Sequence, residues 1–148
     1  MFKHILIATD GSELANKAVV EGLTLAKALK AQATAVTVTE PWDALSMAAI
    51  AEAQMRNPIA DYEERIAAAA NRILSPVAEK AKKLGVSCAT VHVKDRHPAE
   101  GIIETAQTQM CDLIVMASHG RRGLAKLLIG SQASRVVTLS PVPVLICR

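Results

Sequence analysis

Aromatic residues are almost missing from this chain, which has one Trp, one Tyr and one Phe among 148 residues. Sites for single-stranded nucleic acid stack bases on aromatic rings, so no nucleic-acid partner is expected. Charge of one sign is also lacking. The 17 basic and 14 acidic residues leave a net +3, too little to draw a polyanion by itself. The three cysteines, Cys88, Cys111 and Cys147, have no Cys-x-x-Cys spacing. That removes the common zinc and redox motifs and leaves reduced, buried thiols as the expectation. No apolar run nears the roughly 20 residues that a membrane span needs, and no signal core precedes the first apolar segment. A membrane partner is not expected, and the cytoplasm is the expected location.

Two phosphate-binding motifs are missing as well. The first turn, Asp10-Gly11-Ser12-Glu13, has one glycine where a dinucleotide fold carries Gly-x-Gly-x-x-Gly, and there is no Gly-Lys-Ser/Thr P-loop. His4, His92 and His97 show no metal-ligand spacing. His119 has no acid or cysteine near it in sequence, so neither a catalytic residue nor a metal site is expected.

What the chain does have is Ala, Val, Leu, Ile and Met, which dominate its 51% hydrophobic content and suit close helix–sheet packing. The length fits one domain over residues 1–148. Strand patterns fall at residues 5–8, 33–39, 87–93, 112–117 and 143–147. Helical patterns separate them. The first runs from an N-cap at Ser12 to Leu29, and the second covers 60–84, kinked at Pro76 and stopped by Gly85. The third begins at Pro98 and the last spans 131–139. Residues 43–58 read as a loop with one short helical turn, over a cleft. This alternation predicts an α/β class, a doubly wound parallel sheet with helices on both faces.

The most informative stretch is the run Asp112-Leu113-Ile114-Val115-Met116-Ala117, which breaks into Ser118-His119-Gly120-Arg121-Arg122 and resumes at Gly130-Ser131. A strand leaving the sheet at its carboxyl edge and a helix starting nearby bring backbone N–H groups and a hydroxyl together, which suits a phosphate. Gly120 and Gly130 let the backbone approach an anion, and Ser131 doubles as a helix cap. Arg121, Arg122 and Lys126 add positive charge at the rim, and Asp10 ends the first strand on the same edge.

Ala117-x2-Gly120-x9-Gly130-Ser131, with Asp10-Gly11-Ser12 near the start and Pro141-Val142-Pro143-Val144-Leu145 at the end, resembles the universal stress protein family over the whole chain. The resemblance implies a Rossmann-like five-stranded sheet of order 3-2-1-4-5 and an ATP site, with Mg²⁺ on the phosphates and AMP or ADP as other ligands. Its nucleotide-binding members carry glycine where Ala117 stands. Residue by residue, it implies that Ala8, Thr9 and Asp10 border the adenosine and that Val38 packs on the adenine. Met116 and Ala117 line the ribose side. His119, Gly120, Arg121, Gly130, Ser131 and Gln132 surround the phosphates. It also implies a homodimer through the last strand, Val142–Cys147, and a stress sensor or regulator with a protein partner. A dimer without nucleotide, or slow ATP hydrolysis or self-phosphorylation on Ser131 or another hydroxyl, are the alternatives.

Overall fold

Five short β-branched and aliphatic runs, each followed by a capped helical segment, fold as alternating strands and helices. The computed structural model describes residues 1–42, 48–49, 52, 58–120 and 128–148. In chain order they form β1 (His4–Ala8), α1 (Glu13–Leu29), β2 (Gln32–Val38), α2 (Pro58–Leu84), β3 (Cys88–Val93), α3 (Pro98–Thr108), β4 (Leu113–Ala117), α4 (Ser131–Leu139) and β5 (Val144–Cys147). All pairings are parallel, in the order β3-β2-β1-β4-β5.

β1 is central, and its Ile5, Leu6 and Ile7 are fully buried because both faces are covered. Side chains alternate across the strand. Ile5 and Ile7 join the core under α1 and α2, with Leu23, Leu74, Val77 and Val115. Leu6 and Ala8 join the opposite core under α3 and α4, with Ile102, Ile114, Met116 and Val136. Helices on both faces, α1 and α2 on one and α3 and α4 on the other, are the doubly wound arrangement that the sequence predicts.

The helix ends show how local sequence sets these boundaries. Ser12 caps α1, its Oγ accepting the Ala15 N–H at 3.2 Å. α2 ends where Gly85 turns left-handed at φ 73, with the Gly85 N–H donating to Lys82 O and the Val86 N–H to Ala81 O. The same double closure ends α1 at Lys30 and α3 at Met110, with φ of 54 and 53, although neither is glycine. Pro76, expected to interrupt α2, does not end it: the helix continues through this exposed residue to Leu84. β5 begins at Val144 rather than at Pro143, which has no N–H to pair. The Pro143 carbonyl still accepts the Ile114 N–H at 3.0 Å. Only Cys111 of the three free cysteines is buried; Cys88 and Cys147, on the two edge strands, are half-buried.

Most of the expected loop at 43–58 lies outside the described residues, as do Arg121, Arg122 and Lys126.

Candidate functional site

In this strand order the connections from β1 and β4 leave in opposite directions, which opens a crevice between their carboxyl ends. A cavity of about 530 Å³ occupies that crevice. It is within the size range of small-molecule sites. Eleven of the twelve residues expected around a nucleotide line it: Ala8, Thr9, Asp10, Val38, Met116, Ala117, His119, Gly120, Gly130, Ser131 and Gln132. The twelfth, Arg121, is outside the described residues.

The β1 side is a tight polar turn. The Thr9 N–H extends the sheet by donating to Val36 O at 2.9 Å, and the Gly11 N–H donates to Thr9 Oγ1 at 3.2 Å. Asp10 Oδ1 accepts the Ser12 N–H at 2.9 Å, across a Gly11 whose φ of 77 suits glycine. Asp10 therefore does start a turn before a helix. Its second oxygen faces the other loop: a Cβ on Gly120 would lie 2.7 Å from Oδ2.

The β4 side is fixed by backbone bonds. Ser118 donates its N–H to Cys147 O and accepts the Gly130 N–H on its carbonyl, both at 2.8 Å. A Cβ on Gly130 would stand 3.0 Å from Ser118 O and 3.5 Å from His119 Cα. Both glycines also have a packing role. Their missing side chains make room for Asp10 and for the Ser118–His119 backbone. Gly130, not Ser131, is the N-cap of α4, and Ser131 is its first residue. Gln132 has a second task, its Oε1 accepting the Ala99 N–H at 3.1 Å where His97 leaves α3 without a side-chain cap.

Apolar side chains form the rest of the wall. Val36 and Val38 come from β2, Ile66, Ala69, Ala70 and Ile73 from α2, and Pro98 and Ile102 from the start of α3. The α2 contribution was not foreseen. Ile66, Ala69 and Ile73 follow helical spacing, which reads as ordinary core, yet all three are only half-buried. An apolar stripe on one helix carries no sign of whether a strand or a cavity faces it.

Ala117 is 6% exposed and belongs to the core beneath α1 and α2, so its methyl is absorbed mainly by packing. Thr39, at the cavity edge, meets His92 Nε2 at 2.8 Å. Burial, helped by Lys94, lowers the pKa of that imidazole. Among the described residues no group of three or more His, Cys, Asp and Glu could hold a metal ion. A divalent ion arriving with phosphates would take most of its ligands from phosphate oxygens and water. No helix among them is long and apolar enough to cross a membrane.

The fold agrees with comparisons to known proteins. A universal stress protein of Thermus aquaticus is 34% identical over 148 residues, covering all of both chains. One of Methanocaldococcus jannaschii is 30% identical over 148 residues, covering all of this chain and 83% of the relative. A solved universal stress protein in complex with cAMP matches with a TM-score of 0.69 at 24% identity, covering 99% of this chain and 97% of its own. Another, from Archaeoglobus fulgidus in complex with dAMP, matches with a TM-score of 0.65 at 15% identity, covering 100% and 98%. The universal stress protein family model spans residues 1–148, and the chain belongs to that family.

Proposed function

We propose that this universal stress protein binds an adenine nucleotide, with ATP as the leading ligand, and acts as a cytoplasmic, homodimeric sensor or regulator of other proteins. The observation that carries this reading is the two-sided character of the cavity. Val38, Ile66, Ile73, Ile102 and Met116 give it an apolar side suited to a base. At the other end the N-terminus of α4 is tied to the turn after β4 by the bond from the Gly130 N–H to Ser118 O, and the positive end of its dipole suits phosphate. Asp10, held between them, is positioned for a ribose hydroxyl or the edge of the base. Two relatives of the same fold are described in complex with cAMP and dAMP, which supports the ligand class. Ala117 is 6% exposed, which supports a reading in which its methyl takes little of this space.

The dimer reading rests on β5. Among the described residues it is an edge strand, paired with β4, and its Leu145 is 41% exposed. An edge of this kind can pair with a second copy across a two-fold axis.

The test is to release any small molecule from purified protein, identify it, and titrate ATP and AMP by calorimetry. Saturable heat with a dissociation constant below millimolar is the expected result. No co-purified nucleotide and no heat at millimolar ATP removes the proposal, and leaves the protein-interaction dimer as the reading. Sedimentation tests the dimer: a monomer at micromolar concentration refutes pairing through Val142–Cys147.

A further inference from the structure

We infer that the cavity has a second subsite, on the α1 and α2 side of the sheet, which takes a small neutral molecule with a hydroxyl or carbonyl head on an apolar body. This goes beyond the nucleotide reading and leaves the Val38 side of the cavity to the nucleotide.

Among the described residues five polar side chains are buried: Thr9, Thr34, Thr37, Thr105 and Ser118. Four of them are hydrogen-bonded. Thr9 Oγ1 accepts the Gly11 N–H, Thr105 Oγ1 donates to Gly101 O, and Thr34 and Ser118 meet the rings of His4 and His119. Thr37, 5% exposed, has no side-chain partner among the described residues. A buried hydroxyl left unpaired is uncommon, and it costs stability unless water or a ligand bonds it. The Trp42 indole nitrogen is the only unpaired polar side-chain atom among the described residues that is closed off from solvent. The Thr37 hydroxyl is therefore open to solvent space, and the space that Thr37 lines is the cavity.

Strand alternation gives the side. Val36 and Val38 pack toward α3 and α4, Ala33 and Ala35 toward α1 and α2, so Thr37 points the second way. Thr9 follows Ala8, the partner of Val36, and its N–H donates to Val36 O, which sets Thr9 and Thr37 side by side at the ends of β1 and β2. With its oxygen accepting from Gly11, Thr9 keeps its hydroxyl proton for a ligand. Apolar groups surround these two hydroxyls: Ala15 of α1 and Ile66, Ala70 and Ile73 of α2. Ala70 is 4% exposed yet belongs to neither packed core, and lines the cavity instead. Ile66 and Ile73 thus border both the base and this lobe. The floor and walls named here carry no charge, so a charged head would be buried without a counter-charge.

The probe is cyclohexanol, titrated into the full chain while the methyl signals of Thr37 and Ala70 are followed by NMR. Cyclohexanecarboxylate and cyclohexylamine are its charged counterparts. Expected are saturable shifts of both signals, binding about 10-fold or more weaker for either charged counterpart, and a loss of about 5-fold in Thr37→Val, which keeps the shape and removes the hydroxyl. Mapping and the charge comparison use the unmodified chain, so they stand whether or not the variant folds. Shifts confined to other residues, no saturable shift, equal binding of a charged counterpart, or unchanged affinity in a folded Thr37→Val overturns the subsite. The titration is repeated with AMP at saturation, and simultaneous binding is expected. Displacement of cyclohexanol by AMP overturns a separate subsite and leaves nucleotide binding intact. No heat with AMP while cyclohexanol binds overturns the nucleotide reading alone.

Discussion

Adding one methyl group at Gly101 tests which wall of the cavity receives the base. Gly101 is buried in α3, and a Cβ there would meet both γ-methyls of Val38 at 2.9 Å and Val93 Cγ1 at 3.3 Å. Carbon pairs are comfortable at about 3.5–4.0 Å, so the Val38 methyls must retreat by at least ~0.6 Å. Both face the intruder, and a β-branched side chain has few rotamers to choose from. The space behind Val38 is the cavity. Alanine favours helix by about 1 kcal/mol over glycine, while overpacking costs about 1–3 kcal/mol. Gly101→Ala is therefore expected to change stability by between about 0 and −2 kcal/mol, a fall in melting temperature of at most about 8 °C for a chain of this size.

The larger effect is on affinity. If the base packs on Val38, the intruding wall carries the same overpacking into the complex, and about 1–2 kcal/mol weakens AMP binding roughly 5- to 30-fold. Gly22→Ala is the control. Its Cβ would meet Ile7 Cγ1 and Cδ1 at 2.8 Å, also a helix-on-strand contact, but Ile7 lies in the opposite core, away from the cavity. The control is expected to lose stability and keep its affinity, as read by calorimetry and thermal melts side by side. A folded Gly101→Ala protein with unchanged affinity, or equal losses of affinity in both variants, refutes the placement of the base.

Three further outcomes follow from local geometry. Met110→Gly removes a left-handed non-glycine at the end of α3, where Met110 is 83% exposed, and is expected to stabilise by about 0.5–1 kcal/mol in chemical denaturation. Asp112 accepts the N–H groups of Lys3 at 2.8 Å and His4 at 3.0 Å. Partial burial works to raise its pKa, but those N–H groups, with its own and the nearby His4, hold it below the ordinary value. Its contribution is therefore complete above the unfolded value of about 4 and is lost as the pH falls through the folded one. Asp112→Ala should cost about 1–2 kcal/mol at pH 7, and the gap from the parent should close in denaturation curves below pH 4. Burial, with Asp112 beside it, pushes the Cys111 thiol up to about 11, so a thiol reagent at pH 7 should modify it only on unfolding. Rapid modification of the native protein would contradict the packing of the α3–β4 junction.

Much of the architecture was legible because it rests on local chemistry. Ser12, Gly85 and Pro98 mark helix boundaries through caps and backbone preferences that act within a few residues, and the structure places them there. The end of α1 at Leu29 was read correctly although Lys30, not a glycine, makes its left-handed turn, whereas the end of α3 was left open because Met110 takes a left-handed φ without announcing one. Pro143 shifted a strand boundary by one position through its missing N–H. At the site, the turns after β1 and β4 could be found in sequence, since glycine and polar residues interrupt apolar runs. The reasons for the glycines could not. That Gly120 accommodates Asp10 depends on turns 110 residues apart along the chain meeting across the sheet, and that Gly130 accommodates the carbonyl of Ser118 depends on how the β4–α4 connection returns to its own start. The α2 wall was hidden for a related reason, because Ile66 and Ile73 look the same in sequence whether they cover a strand or a void.

The closure of β4 against β1 carries a kinetic consequence. The bond from Lys3 to Asp112 joins residues 109 apart, and the cavity needs both strands before it has two sides. Contacts of such sequence separation form late, since a long loop must close before they repay its entropy. A ligand of this cavity therefore has nothing to grip on a half-finished chain. It should slow unfolding without hastening folding, and the amount bound at saturation should count completed molecules in a mixed population.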